Sequence, residues 1–348
     1  MKTQKFTHKL DLVNGKVEMV HGAGGKAMSQ LIDQLFVAKF SNPILNQQND
    51  QASLILPGKK MVMATDSHVI SPLFFPGGDI GSLSIHGTVN DVAMCGAVPR
   101  YLSLAFIVEE GLGMEEFVEV VKSVKRAADK SGVQIITGDT KVVERGKGDK
   151  IFINTTGFGE VHPKANIAVK NIREGDKILV NGLIAQHGMA IMSEREGLEF
   201  ESAIVSDSTN LNGLVLKLLD RFGDKIHFLR DPTRGGLASV LSEIAVDARV
   251  GIEIYEDQLP LEKQVSAACE MLGLDPLYVA NEGLFAVFVD PEIEQEALEL
   301  MRLDETGRSA TRVGEVTSTH LGKVILHSEI GGKRIVTPLI GEQLPRIC

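Results

Sequence analysis

An α/β first half, an α/β or α+β second half and an extended tail make up the architecture that this 348-residue sequence predicts. Three observations lead there. Short apolar runs of strand length alternate with stretches of helical apolar spacing through most of the chain. A polar stretch at 161–175, with Pro163 and no periodicity, interrupts them near the middle, and after Val336 periodicity stops. At the usual ~100–200 residues per domain the length accommodates two ordinary cores, so no disulfide or metal staple is required. These features divide the chain into residues 1–162, 163–336 and 337–348.

In the first half, the runs 61–65, 101–108, 133–137 and 151–156 have strand length and stop at Asp, Glu or Gly. Residues 114–130 place Phe117, Val120, Val121, Val124 and Ala128 at helical spacing, with Glu115 and Glu116 opening the helix and Lys125, Arg126 and Lys130 closing it. That distribution of charge suits both ends of the helix dipole. In the second half, 176–180 and 226–229 read as strands, and 208–222 is a helix with Leu211, Leu214, Val215, Leu218, Leu219 and Phe222 on one face. A further helix spans 236–248, with Leu237, Val240, Leu241 and Ile244 turned inward. Strands at 251–255 and 284–289 flank a helix around 261–272, and another helix follows Pro291, a favourable first-turn residue. Residues 323–336, with Gly331-Gly332 in the middle, form a hairpin pattern. Residues 337–348 (TPLIGEQLPRIC) carry two prolines and a glycine and read as an extended tail, of reach at most ~40 Å at roughly 3.3 Å per residue.

Composition excludes several functions. A formal charge of −10 argues against a nucleic-acid or anionic-membrane surface, which needs clustered Lys and Arg. With three Tyr, fourteen Phe and no Trp there is also little to stack bases on. The longest uncharged stretch, 178–193, contains two glycines, Asn181 and Gln186, which do not suit a transmembrane helix. Residues 1–20 are charged throughout and lack the apolar core of a secretory signal. The expectation is a soluble cytoplasmic protein with free thiols. Its cysteines, Cys95, Cys269 and Cys348, form no C-x-x-C pair, which argues against a disulfide framework or structural zinc.

The residues that can carry chemistry are carboxylates, a glycine-rich loop and one thiol. Asp66 follows the run MVMAT, Asp139 follows VQIITG, Asp91 lies in GTVNDVAMCGA and Asp50 precedes them in a loop. Carboxylates converging where strands end suit Mg²⁺, a hard oxygen-seeking cation, although each aspartate alone has a turn or cap role as its alternative. The loop HGAGGKAMS, with Gly22, Gly24 and Gly25, opens a helical run and suits an anion cradle or a plain helix entry. It is not a Walker A motif, because Val20 and Ala27 stand where a glycine and a hydroxyl are needed. Arg234 in RDPTRGG, Glu282 in ANEG and Lys141 beyond Asp139 are further polar candidates. His68, His86 and His187 have no metal-ligand spacing and read as structural. Cys348 is the last residue, not a prenylation site, and on a mobile tail it offers an accessible nucleophile. Arg346 nearby is expected to lower its pKa and its own α-carboxylate to raise it. If the thiol is functional, the geometry suggests a carrier arm, loaded in one place and unloaded in another; the alternative is a frayed terminus.

The motifs TDSHV, FFPGGDIG, GTVNDVAMCGA, TGDTKVV, DPTRGG and ANEG, in this order and ending in LPRIC, closely resemble the hydrogenase expression/formation protein HypE family. The resemblance covers nearly the whole chain. It implies an aminoimidazole ribonucleotide synthetase-like two-domain fold with a flexible C-terminal tail, and a homodimer that pairs its N-terminal sheets. It further implies ATP and Mg²⁺ as cofactors, and as partners the carbamoyltransferase HypF and the iron-carrying HypC–HypD complex. The implied chemistry is dehydration of a carbamoyl group, carried as a thiocarboxamide, to a thiocyanate that supplies the cyanide ligands of [NiFe]-hydrogenase. By motif, Cys348 is the carrier; Asp50, Asp66, Asp91 and Asp139 match the Mg²⁺/ATP carboxylates; and Gly22, Gly24 and Gly25 match the cover over the phosphates. Lys141 and Glu282 are candidates for proton handling, and Arg234 for holding the tail. The sequence departs from relatives after Asp50, where Gln-Ala-Ser stands.

Overall fold

The computed structural model describes residues 25–31, 33–34, 52–56, 59–198, 203–341, 344 and 346–348. The first half comprises α1 (Gly25–Leu31), β1 (Ala52–Leu56), β2 (Lys59–His68), β3 (Phe74–Phe75), β4 (Gly78–Asp79), α2 (Ile80–Met94), β5 (Ala97–Glu109), α3 (Met114–Ser131), β6 (Gln134–Val143) and β7 (Ile151–Val161). Its main sheet runs β1-β2-β7-β5-β6. Along β7 buried and half-buried residues alternate, which gives the sheet one core face. Neighbours are antiparallel except β5 and β6, which are parallel because α3 carries the chain back between them. Gly132, left-handed at φ 71°, ends α3.

The helix α2 shows no apolar stripe because nearly every residue in it is buried. Asp79 starts it, accepting from the Gly81 and Ser82 N–H groups at 2.7 and 3.2 Å, while Ser82 Oγ accepts the Asp79 N–H at 3.1 Å. The helix lies against β7 at glycine distance. A Cβ on Gly157 would come within 2.8 Å of Thr88, and one on Gly159 within 2.4 Å of Val92.

The second half comprises β8 (Lys177–Val180), α4 (Gln186–Glu196), α5 (Asn212–Phe222), β9 (Ile226–Arg230), α6 (Gly236–Ala248), β10 (Gly251–Tyr255), α7 (Lys263–Leu272), β11 (Ala286–Val289), α8 (Glu294–Arg302), β12 (Thr311–Thr317), β13 (Val324–His327) and β14 (Lys333–Val336). The sheet order is β14-β13-β10-β12-β8-β11-β9, with only β10 and β13 parallel. Leu237, Leu241 and Ile244 of α6 bury against one face with Ile252 and Phe288. Leu218 of α5 and Leu298 of α8 cover the other with Val287, joined there by Ala93 and Met94 of α2. The buried helix α2 therefore belongs to both halves. Among the described residues, no helix is long and apolar enough to cross a membrane.

Two sequence expectations change in the fold. The run at 133–137 continues as strand to Val143, so Asp139 and Lys141 lie inside β6. Positions two apart share a face of a strand, and here both side chains are exposed, with Nζ 3.2 Å from Asp139 Oδ2. The sheet is also largely antiparallel, so the rule that ligands gather at one end of parallel strands does not apply to Asp66, which sits within β2.

Candidate active site

The chain's end comes back to the seam between the two halves. Tyr278 Oη donates to the Thr337 carbonyl at 2.9 Å, the Leu339 N–H donates to Ser239 Oγ at 3.1 Å, and the Leu339 carbonyl accepts the Lys26 N–H at 3.3 Å. At the far end, the Val69 N–H donates to the Cys348 carbonyl at 3.2 Å and the Ser71 N–H to the Arg346 carbonyl at 3.4 Å. The side chain of Arg195 also donates to that Arg346 carbonyl, and Arg346 pairs with Asp149. Ile347 is buried in a cluster with Ile70, Leu73 and Phe75 of the first half and Ile191 of α4. Burying an isoleucine contributes roughly 1.5–3 kcal/mol, enough to offset part of the cost of ordering the tail.

This docking delivers the Cys348 thiol to a cavity of about 190 Å³ lined by Thr65, Asp66, Gly87, Asp91, Asp231, Thr233, Arg234 and Glu282. Asp66 comes from β2, Asp91 from α2, Asp231 and Arg234 from the turn before α6, and Glu282 from the turn before β11. Arg234 Nη2 lies 3.6 Å from Asp66 Oδ1. The thiol donates a hydrogen bond to the Glu282 carboxyl. Desolvation pushes the thiol above its ordinary range, the negative charges of Glu282 and Asp66 add to this, and Arg234 opposes it. Glu282 is raised well above the usual carboxylate range, by burial first and then by Asp66, Asp207 and Asp231. A thiol docked in this way is held protonated, beside a carboxyl whose own affinity for a proton is raised.

Glu282 is aimed by its neighbours. Both Asp207 oxygens accept its N–H at 3.2 Å, and Oδ2 accepts the Gly283 N–H at 2.9 Å. A Cβ on Gly283 would stand 1.8 Å from the Asp207 carbonyl oxygen, so only glycine lets the turn close. Asn90 of α2 donates to the Glu282 carbonyl at 3.4 Å and to the Thr209 carbonyl at 2.9 Å. His68 is buried with Nε2 3.7 Å from Asp66 Oδ2; among the described residues neither ring nitrogen has a hydrogen-bond partner, and burial lowers its pKa.

Of the residues expected from sequence, the structure brings together Cys348, Glu282, Asp66, Asp91 and Arg234. Asp139 and Lys141 stand apart from this cavity on the exposed face of β6. Gly22, Gly24 and Asp50 lie outside the described residues. Gly25, at φ 73°, abuts the tail, since a Cβ there would be 2.0 Å from the Leu339 oxygen. Asp207, Arg195 and His187 carry no sequence signal as site residues: Asp207 and His187 lack any motif, and Arg195 reads as the basic last turn of α4. Asp231 lies in RDPTRGG, a turn the sequence offers either for holding an anion or the tail or as a plain cap, and the structure puts it in the cavity.

Residues 48–161 match the family model of the AIR synthase related protein N-terminal domain, and residues 173–327 match that of the C-terminal domain. Two sheets with an acidic cavity at their seam thus define a two-domain protein of the AIR synthase related class. Within that class, the chain is 53% identical to the carbamoyl dehydratase HypE of Azotobacter vinelandii, over 98% of this chain and 99% of the relative. It is 46% identical to a chain of a solved HypE–HypF complex, covering 89% of this chain and 99% of that one with a TM-score of 0.84. A HypE solved in complex with ATP is 48% identical, with 94% and 98% covered and a TM-score of 0.81. The chain belongs to the HypE carbamoyl dehydratase family of hydrogenase maturation proteins.

Proposed function

We propose that this protein uses ATP to dehydrate a carbamoyl group carried on its own Cys348, turning a thiocarboxamide into a thiocyanate that supplies cyanide to the iron of [NiFe]-hydrogenase. The observation that carries this reading is the docking of the terminal thiol against the Glu282 carboxyl in a cavity built by both halves. ATP supplies the phosphoryl group that turns the amide oxygen into a leaving group. The carbon–oxygen bond then breaks, the oxygen departs in phosphate, and both N–H protons leave the nitrogen as the C≡N bond forms. Glu282 is the group placed to take a proton, because its carboxyl lines the cavity beside the thiol and burial raises its affinity for a proton. Lys141 is the second candidate for proton handling; undiminished thiocyanate formation by Lys141→Ala removes it from the mechanism.

Asp66 and Asp91 offer the hard oxygen donors that Mg²⁺ takes, but among the described residues no group of three or more His, Cys, Asp or Glu is disposed to hold an ion. The fit is therefore to a cation shared with nucleotide phosphates, with Asp66 and Asp91 as this chain's ligands and Asp50 and Asp139 as further candidates. Gly22, Gly24 and Gly25 are the candidates for covering those phosphates. Tyr101 and Ile107 of β5 and Ile135, Ile136 and Val142 of the edge strand β6 are exposed apolar side chains, which supports a homodimer through the first sheet. We assign the carbamoyl donor to a HypF-type transferase and the acceptor to a HypC–HypD-type iron carrier. Residues 1–162, 163–336 and 337–348 serve as nucleotide-binding and dimerisation domain, second domain and carrier tail. Three free thiols suit the cytoplasm.

The test is to weigh carbamoyl-loaded protein by mass spectrometry before and after ATP. Loss of the mass of one water supports turnover; a mass that ATP leaves unchanged points to a scaffold without activity. Cys348→Ala is expected to take no carbamoyl group.

A further inference from the structure

Arg346 is left-handed at φ 55°, and the last three carbonyls of the tail are met from two sides. The Val69 and Ser71 N–H groups reach the Cys348 and Arg346 carbonyls in antiparallel sense, in the manner of a strand added to an edge. That leaves the carbonyl of Ile347 facing the other way, into the buried side of the seam. There His187 Nε2 lies 2.7 Å from it, and His187 Nδ1 lies 2.7 Å from Ser206 Oγ.

A carbonyl only accepts, so the Nε2 position carries the hydrogen, and a neutral imidazole must then accept at Nδ1 from the Ser206 hydroxyl. Ser206 Oγ in turn accepts the Ser208 N–H at 3.1 Å. Every polar atom in this line is thereby given a role that ends on the tail. The ring is fully buried, and Phe75 packs edge-on against it with centroids 5.6 Å apart. The same segment that carries Glu282 also sets His187. Asn281 Oδ1 accepts the N–H of Ala185, the left-handed residue before α4, at 2.7 Å, and the Ala280 carbonyl accepts the Gly188 N–H at 3.0 Å.

We propose that His187, oriented by Ser206, is the positioning residue that docks the tail, by meeting the one terminal carbonyl that the Val69–Ser71 edge leaves unpaired. It acts on backbone one residue before the thiol, so this contact does not itself require a free thiol. The meaning of this device rests on Cys348 being the carrier, whereas its test reads docking alone, without ATP or a carbamoyl donor.

The experiment is the rate of iodoacetamide labelling at each cysteine of the full chain, resolved by peptide mass spectrometry. Cys95 and Cys269 are buried and report an intact fold by staying unlabelled. Wild-type Cys348 is expected to label slowly compared with the free peptide LPRIC. Loss of the donor to a buried carbonyl in His187→Ala is expected to raise the Cys348 rate about tenfold or more, with His187→Gln, which keeps an N–H, in between. If His187→Ala exposes Cys95 and Cys269, Ser206→Ala supplies the answer through a smaller rise in the same direction. Wild-type Cys348 labelling as fast as the peptide, or unchanged labelling in a folded variant, overturns the proposal. Water loss from carbamoyl-loaded wild type stays measurable in either case, so the two readings fail separately.

Discussion

Asp207 holds Glu282 by its backbone: each carboxylate oxygen accepts the Glu282 N–H, at 3.2 Å, and one of them the Gly283 N–H as well. Desolvation pushes Asp207 up to about 6, so at neutral pH it is an ionised acceptor whose environment keeps it close to protonation. Asp207→Asn replaces one of these two accepting oxygens by an N–H₂ group that can only donate. The expected loss of stability is about 1–3 kcal/mol, read by urea unfolding. Dehydration is expected to fall with it, because Glu282 loses its aim, and an unchanged unfolding midpoint would remove Asp207 from the support of the site.

Glu282→Gln keeps the shape and the hydrogen-bonding capacity beside the thiol but no longer takes a proton. Thiocyanate formation from preloaded protein is expected to drop by roughly 10²–10⁴, the usual contribution of a positioned base. Carbamoyl loading of Cys348 is expected to persist. Wild-type turnover in this variant, followed by mass spectrometry, would assign the base elsewhere.

Gly25→Ala adds a methyl group where the Leu339 carbonyl already sits, at a left-handed φ that alanine disfavours. The backbone oxygen cannot swing away as a side chain would, so helix α1 and the tail must separate. Expected outcomes are a lower thermal midpoint and faster alkylation of Cys348, both measured on the full chain.

Burial drives His86 and His187 down to about 4, against an unfolded value of 6.5. Each is neutral in the folded state where the unfolded chain takes up a proton, so the stability each contributes is present above pH 6.5 and is lost as pH falls toward 4. For one such histidine the full window is worth about 3 kcal/mol. Glu282 and Asp207, both raised, act in the opposite sense as they protonate, so the informative quantity is a difference. His86→Gln, which can still meet Ser208, is expected to unfold with a shallower pH dependence between 6.5 and 4 than wild type. Parallel curves from thermal melts at stepped pH would show that His86 titrates normally.

Much of the architecture is legible in sequence where periodicity meets a single buried face. Helix α6 and strand β10 span the expected residues, and α3 and α5 differ only at their ends. Helix α2 is not legible in this way, because a helix buried on every side has no stripe to betray it. Asp139 and Lys141 show the opposite error. A glycine in VQIITGD reads as a strand end, yet Gly138 sits inside β6, where a Cβ would be 2.2 Å from the Leu104 oxygen; it marks a close approach of strands.

By itself the sequence determined most local elements and the family, because apolar spacing and motif order are properties of neighbours along the chain. Tertiary structure decided which of these meet. It placed Cys348 against Glu282 at the end of a tail that periodicity leaves blank, set Asp139 and Lys141 outside that cavity, and made His187, a lone histidine without ligand spacing, the donor to Ile347. The physical reason is that a hydrogen bond or a shifted pKa depends on what burial brings within a few ångströms, and residues 187 and 347 have no relation until the two halves close on the tail.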